Sequence, residues 1–117
     1  MLLNRSTTLP SGLRATVRLP HGGDRPALRA LHGRLGLPVD DLEVTRLLRH
    51  DPRQRAAIVA LAWTSEGHSL LGFAAGDVGA GGPDVLLVDP AAGLGLADLL
   101  TAALAERTEP LRRPRVA

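Results

Sequence analysis

The sequence predicts a single domain of the α/β (α+β) class. Its 117 residues suffice for one hydrophobic core but not for two independently stable halves. Hydrophobic residues make up 44% of the chain and charged residues 22%, as in ordinary soluble proteins. The apolar pattern switches between the period of a strand and that of a helix, in the order strand, helix, helix, strand, strand, strand, helix. Leucine, valine and alanine must build the core, because Trp63 and Phe73 are the only aromatic residues.

The first strand and the first helix follow a polar leader over residues 1–12. Residues 13–19 (LRATVRL) alternate apolar and polar side chains, which predicts a half-buried strand that ends before Pro20. Asp24 can N-cap the next segment, in which leucines recur at helical spacing until Gly36. This pattern predicts a helix packed on the sheet by its leucine face.

A second helix and a hairpin come next. Asp40 and Glu43 have the spacing of a capping box, and Pro52 prevents the helix from continuing. Residues 56–64 (AAIVALAWT) and 69–78 (SLLGFAAGDV) are apolar runs separated by a short polar turn. They predict two antiparallel strands.

A glycine-rich turn joins the last predicted strand to the last helix. Residues 84–89 (DVLLVD) predict a short apolar strand, and leucines and alanines from Leu96 to about Thr108 recur at helical spacing. Residues 109–117 form a tail rich in arginine and proline, for which we expect an extended conformation. The segments therefore define a leader, a domain over residues 13–108 and a tail.

The turn itself has two interpretations. The first N–H groups of a helix lack backbone partners and carry partial positive charge, so they can bind phosphate where glycine lets it approach. Glycine equally serves tight corners that need unusual backbone angles. The chain has no lysine for a Walker loop, and Asp98 stands where a dinucleotide fingerprint would need its third glycine. The pattern alone leaves an anion site and a plain corner open.

The element order and this turn resemble the acyl-CoA half of the GNAT superfamily of N-acyltransferases. Residues 17–35 (VRLPHGGDRPALRALHGRL) resemble its opening strand and first helix, especially in the protein-acetyltransferase branch. Residues 69–77 (SLLGFAAGD) look like its third strand, and residues 86–104 (LLVDPAAGLGLADLLTAAL) resemble its signature segment. The resemblance implies a GNAT-like domain with a short mixed, mostly antiparallel sheet and helices on both faces, truncated after the signature helix.

The resemblance also implies a cofactor, acetyl-CoA or another acyl-CoA, and no metal. Gly95 matches the first glycine of the family's pyrophosphate turn and Ala97 its final small residue. Ala92 stands where the family has arginine or glutamine, so the phosphates would be bound by backbone groups. The expected cofactor-binding residues are Val88, Gly93, Leu94, Gly95, Leu96 and Ala97.

The catalytic residues stay unassigned. In the family a strand, a helix and two closing strands follow the signature helix, and they often bring the tyrosine that protonates the leaving thiolate. This sequence stops before them and contains neither tyrosine nor cysteine, so any general acid would be water or histidine. One predicted function is N-acetylation of an amine within a dimer or complex. The alternative is a catalytically inactive dimerisation or regulatory module.

The sequence also supports predictions about a binding partner and about the cellular location of the protein. The strand over residues 84–89 would lie at an open sheet edge, which predicts a homodimer or a partner protein that covers it. No apolar run is long enough to span a membrane and the N-terminus lacks the pattern of a signal peptide, so we expect a cytoplasmic protein.

Other polar residues have simpler interpretations. Asp84 and Asp89 flank the expected transfer centre and could accept an amine proton through water, but solvated strand-end carboxylates are the favoured interpretation. The histidines have no metal-ligand spacing and are expected on the surface: His21, His32, His50 and His68. The formal net charge is only +2, and stacking aromatics are lacking, so nucleic-acid binding is not expected. The arginines that could form a basic patch are interpreted as a solvated face: Arg46, Arg49, Arg53 and Arg55.

Overall fold

The computed structural model describes residues 2–49, 51, 53–65 and 67–112, and these form one five-stranded sheet packed between helices. The strands are β1 (Ser6–Thr8), β2 (Arg14–Arg18), β3 (Arg55–Thr64), β4 (Gly67–Asp77) and β5 (Val85–Val88). Each strand pairs antiparallel with its neighbour in the chain, so β1 and β5 are the two sheet edges. A single parallel bridge, between Leu3 and Val17, joins the described N-terminal segment to the sheet. The predicted α+β class and mostly antiparallel sheet are confirmed.

Three helices cover the sheet: α1 (Arg25–Arg34), α2 (Asp41–Leu48) and α3 (Leu96–Arg112). Asp40 Oδ1 accepts a hydrogen bond from the N–H of Glu43, so the predicted cap of the second helix is present. Asp24 precedes α1 as predicted, but its side chain makes no cap to that helix. It instead accepts two hydrogen bonds from Arg18 and one from the N–H of His21.

The two faces of the sheet have separate cores. One core lies between the sheet and α3; its fully buried members include Val17, Ile58, Ala60, Leu100 and Ala103. The other lies between the sheet and α1 with α2; its fully buried members include Leu28, Leu31, Val59 and Phe73. Helices on both faces were predicted, and leucine and alanine fill most of the space as the composition requires.

A β-bulge in β4 sets the arrangement at the centre of the sheet. Ala60 pairs with Gly72 and Leu61 pairs with Leu70, so Leu71 is the extra residue. Leu70 packs toward α1 and Leu71 toward α3, and the bulge places Gly72 on the α3 side as well, where a Cβ atom would lie 2.6 Å from Leu100 Cδ1. Gly72, just beyond it, pairs with Val88 at the end of β5, so the bulge lies beside the end of the strand that leads into the candidate turn.

Two expectations about the ends of the domain need correction. The leader contributes β1, a strand of three polar residues that the hydrophobic pattern could not indicate. Helix α3 continues to Arg112, so the extended conformation expected from residue 109 is wrong for residues 109–112; the rest of the predicted tail lies outside the described residues. Thr108 does not end the helix, and its hydroxyl donates to the carbonyl of Leu104 one turn earlier.

Candidate functional site

The candidate site is the turn between β5 and α3. Asp89 follows β5 and accepts a hydrogen bond from the N–H of Ala91, which starts a single 3-10 turn over Pro90–Ala92. Gly93 and Gly95 then have φ of 73° and 98°, in the left-handed region that favours glycine. Helix α3 begins at the next residue.

The backbone amides at this point have no hydrogen-bond partners among the described residues. The first hydrogen bond of α3 runs from the N–H of Leu99 to the carbonyl of Gly95. Within the described part of the chain, the N–H groups of residues 94–97 make no hydrogen bond. Leu94 is 78% exposed, so water or an anion can reach this end of the helix. The arrangement is that of a helix N-terminus with unpartnered N–H groups, a feature that can bind anions, and helix α3 is long enough to contribute its dipole.

The N-terminal loop between β1 and β2 packs against the other side of the two glycines. A Cβ atom on Gly93 would lie 2.6 Å from the Cβ of Ser11, and one on Gly95 would lie 2.7 Å from the Cδ of Pro10. Ser11 Oγ also donates a 2.8 Å hydrogen bond to the carbonyl of Ala92. The glycines therefore make a tight corner, while the amides beside them remain free. The same turn can therefore be both a tight corner and an anion site, the two interpretations that the sequence left open.

Asp89 is part of an ion pair that sequence analysis missed. Arg34, at the end of α1, donates from Nε to Asp89 Oδ2 over 2.6 Å and from Nη2 to the carbonyl of Leu70 over 2.7 Å. The N–H of Asp89 donates to the carbonyl of Leu71, which continues the ladder between β4 and β5. Arg34 thus joins α1, the bulge and the turn. Its partner lies 55 residues away, so no local pattern could have identified it.

The solvated state expected for Asp89 is wrong, because the residue is only 6% exposed. Burial by itself would raise the pKa of Asp89, but the N–H of Ala91 and the guanidinium of Arg34 together hold that pKa below its ordinary value. The carboxylate is therefore ionised and engaged on both oxygens, and it is poorly suited to accept a proton from an amine.

Asp84, before the other end of β5, is also paired. Arg55 donates to its two carboxylate oxygens over 2.7 and 2.6 Å and to Asp77 over 2.9 Å. The hydrogen bonds from Arg55 lower the pKa of Asp84, and burial opposes them more weakly. Asp84 is exposed at the strand end, as predicted, and it is also ion-paired, which the sequence did not indicate. Arg55 was predicted to lie on a solvated face, but its side chain is 25% exposed and paired with Asp77 and Asp84.

The described histidines have structural roles. His21 Nδ1 accepts from the N–H of Gly23 and so caps the turn before α1. His32 was expected on the surface, but it is buried, with Nδ1 2.9 Å from the carbonyl of Leu28. His68 stacks on Trp63 at the tip of the β3–β4 hairpin, with 4.9 Å between ring centroids. The fourth predicted surface histidine, His50, lies outside the described residues.

Two further features of the described residues concern function. They contain no cluster of three or more histidine, aspartate or glutamate side chains that could hold a metal. None of the helices they form is both long and apolar enough to cross a membrane.

Comparison with known proteins identifies the fold. No protein-family model matches the sequence, and no curated protein is significantly similar to it. Among solved structures, the crystal structure of the GNAT domain of S. lividans PAT is similar, with a TM-score of 0.63 and 24% sequence identity. The match covers 93% of this chain and 71% of that chain. The chain therefore has a GNAT-like fold, as its resemblance to that superfamily implied.

Proposed function

We propose that this GNAT-like domain binds an acyl-CoA at the start of α3. One observation carries the proposal: the N–H groups from Leu94 to Ala97 have no partner among the described residues, and they lie at the start of a 17-residue helix where Leu94 is exposed. The partial positive charge of such a helix end complements a diphosphate. Asp98 is the acidic residue in this first turn, so binding is weakened if its side chain turns toward the phosphates.

In this proposal the thioester lies beside Val88 at the open edge of β5. The N–H of Asp89 points toward β4, where it donates to Leu71. Neighbouring residues of a strand direct their backbone groups to opposite sides, so the N–H and C=O of Val88 point away from β4. No described strand lies on that side. The backbone of Val88 is thus available to a pantetheine arm or to a thioester carbonyl.

In this proposal, backbone N–H groups bind the phosphates and no cationic side chain takes part. Ala92 occupies the position of the family's arginine or glutamine, and Arg34 is engaged by Asp89. We therefore expect micromolar affinity for acetyl-CoA. Free coenzyme A should bind similarly, since both ligands carry the same diphosphate.

Calorimetric titration with acetyl-CoA and with free coenzyme A tests the binding. Leu94→Asp and Leu94→Asn form a matched pair, because the side chain is exposed and the two replacements differ mainly in charge. The aspartate should weaken acetyl-CoA binding at least about tenfold, about 1.4 kcal/mol, while the asparagine changes it little. Gly95→Asp is a poorer test, because its side chain would collide with Pro10 and alter the turn itself. Absence of heat with a folded wild-type protein contradicts the proposal.

The finer proposal is N-acetylation of an amine within a dimer or complex. The amine nitrogen attacks the thioester carbonyl and loses a proton to water, the carbon–sulfur bond breaks, and coenzyme A leaves as a thiolate that takes up a proton from water. Incubation with acetyl-CoA and a lysine-containing peptide should release free coenzyme A thiol together with acetylated peptide. Tight binding without peptide acetylation would favour the second candidate.

The second candidate is a catalytically inactive module that dimerises through β5. In the described sheet, β5 pairs with β4 alone, and Leu86 on this strand is 41% exposed. An unpaired apolar edge favours pairing with another strand. Light scattering should give twice the monomer mass, and Leu86→Arg should reduce it to the monomer mass. A wild-type monomer at high concentration would rule out this dimer.

A further inference from the structure

A small cavity lies at the end of the sheet away from the candidate turn. Its volume is about 200 Å³. It is lined by apolar residues and two arginines: Leu19, Pro20, Leu48, Ala56, Arg55 and Arg107. Arg55 bonds to Asp84 just before β5, whereas the turn follows the other end of that strand. The cavity is therefore separate from the proposed acyl-CoA site.

Arg107 of α3 is an unsatisfied cation in this cavity. Its Nε atom is buried and has no hydrogen-bond partner, and no salt bridge joins its guanidinium to any carboxylate of the described residues. A buried donor without a partner is costly, and more so when it carries charge. Arg107 also lines the cavity, so its guanidinium is available there to pair with an anionic ligand.

The second guanidinium in the cavity, that of Arg55, is already ion-paired. Arg55 bonds to both Asp77 and Asp84, so this group of three carries one net negative charge. Arg107 adds the positive charge that has no partner among the described residues. A monoanion would be neutralised by Arg107, whereas a dianion would be repelled by the neighbouring carboxylates. The charge pattern thus selects for a singly charged acid.

We propose that this cavity binds a small monocarboxylic acid, with its carboxylate on Arg107 and its hydrocarbon body against Leu19, Leu48 and Ala56. The guanidinium fork matches a carboxylate in two parallel hydrogen bonds. At about 30 Å³ per water molecule, 200 Å³ corresponds to about six or seven waters, which suits a chain of about four to six carbon atoms. The inference does not depend on acyl-CoA binding.

Titration calorimetry with hexanoate tests the proposal, with hexan-1-ol and hexylamine as ligands that lack the carboxylate. Hexanoate should bind saturably, and the alcohol and amine should not. Arg107→Gln should weaken hexanoate binding at least about tenfold, while Arg14→Gln, at an exposed arginine of β2, should leave it unchanged. Absence of hexanoate binding to the wild-type protein overturns the proposal, as does equal affinity in Arg107→Gln.

Thermal unfolding supplies a second readout. Hexanoate should raise the melting temperature of the wild-type protein and not that of Arg107→Gln, because only a ligand that binds the native state stabilises it. If Arg107→Gln does not fold, Arg107→Lys keeps the charge but lacks the planar guanidinium fork and should also weaken binding. Unchanged hexanoate affinity in the lysine variant would then overturn the proposal.

Discussion

Arg34 Nε lies 2.6 Å from Oδ2 of Asp89 and ties the last residue of α1 to the residue that starts the turn before α3. The same guanidinium donates to the carbonyl of Leu70, next to the bulge. One side chain thus fixes a helix, the centre of the sheet and the candidate site relative to each other. Its removal affects both stability and the geometry of the turn.

Arg34→Ala should lower the free energy of unfolding by about 1–3 kcal/mol, because it leaves the buried carboxylate of Asp89 without its cation. Arg29→Ala is a matched control on the same helix, since Arg29 pairs with Asp41 where both side chains are largely exposed. That change should cost about 1 kcal/mol or less. Urea denaturation followed by far-UV circular dichroism measures both, and equal losses would contradict a special role for Arg34.

The protein should lose stability in acid because of three paired carboxylates: Asp24, Asp84 and Asp89. The pKa of each is below the ordinary value of about 3.9 in the folded state, so the unfolded chain takes up protons first as the pH falls. Their stabilisation is full above about pH 4 and is lost as the pH falls through the lowered pKa values. For Asp24, burial opposes the shift, but the hydrogen bonds from Arg18 and from the N–H of His21 outweigh it.

Asp24→Asn should therefore be less stable at neutral pH and should show a flatter loss of stability below pH 4 than the wild-type protein. Denaturation at a series of pH values measures the slope. Leu94→Asn, which removes no carboxylate from an exposed position, is the control and should keep the wild-type slope. An Asp24→Asn profile parallel to that of the wild-type protein would contradict this assignment.

Gly95→Ala should lower the free energy of unfolding by about 1–3 kcal/mol, because alanine would adopt a positive φ at a cost and would press against Pro10. Leu94→Ala, one residue away and exposed, should change it by about 0.5 kcal/mol or less. Thermal and urea unfolding distinguish the two variants. Equal stability of both would mean that the N-terminal loop does not hold this corner.

Leu100→Ala should lower the free energy of unfolding by about 2–5 kcal/mol, because Leu100 is fully buried between α3 and the sheet. Trp63→Ala removes a larger side chain but should cost much less, because Trp63 is 73% exposed. Urea unfolding followed by circular dichroism compares them. A larger loss for Trp63→Ala would indicate that the hairpin tip is buried in an assembly.

The sequence was informative where one segment carried its own periodic pattern. Residues 56–64 form most of β3, and the leucines after Leu96 form the buried face of α3. β1 could not be predicted, because Ser6–Thr8 has no apolar alternation and is held by pairing with β2. Trp63 belongs to an apolar run of the sequence, yet it is 73% exposed at the tip of the hairpin. The alternation in a strand predicts which face of the sheet a side chain points to, but it does not predict whether another element packs on that face.

The candidate site could likewise be predicted only in part. The glycine turn and the start of the helix could be predicted, because they depend on the local sequence. The packing of Pro10 and Ser11 on the glycines and the pairing of Arg34 with Asp89 join residues far apart in the chain. Such contacts depend on how the elements assemble, and the residue types at those positions are common in ordinary surfaces.

The position of Trp63 determines what intrinsic fluorescence can report. The chain has one tryptophan and no tyrosine, so ultraviolet emission comes from the tip of the β3–β4 hairpin. The indole is already hydrated in the native state and stacks on His68, so its spectrum should shift little when the cores melt. Emission should instead respond to local changes beside the ring, such as contact with another molecule. The protein therefore carries a built-in optical probe of one hairpin, and an emission-based melting curve would describe that hairpin and not the domain.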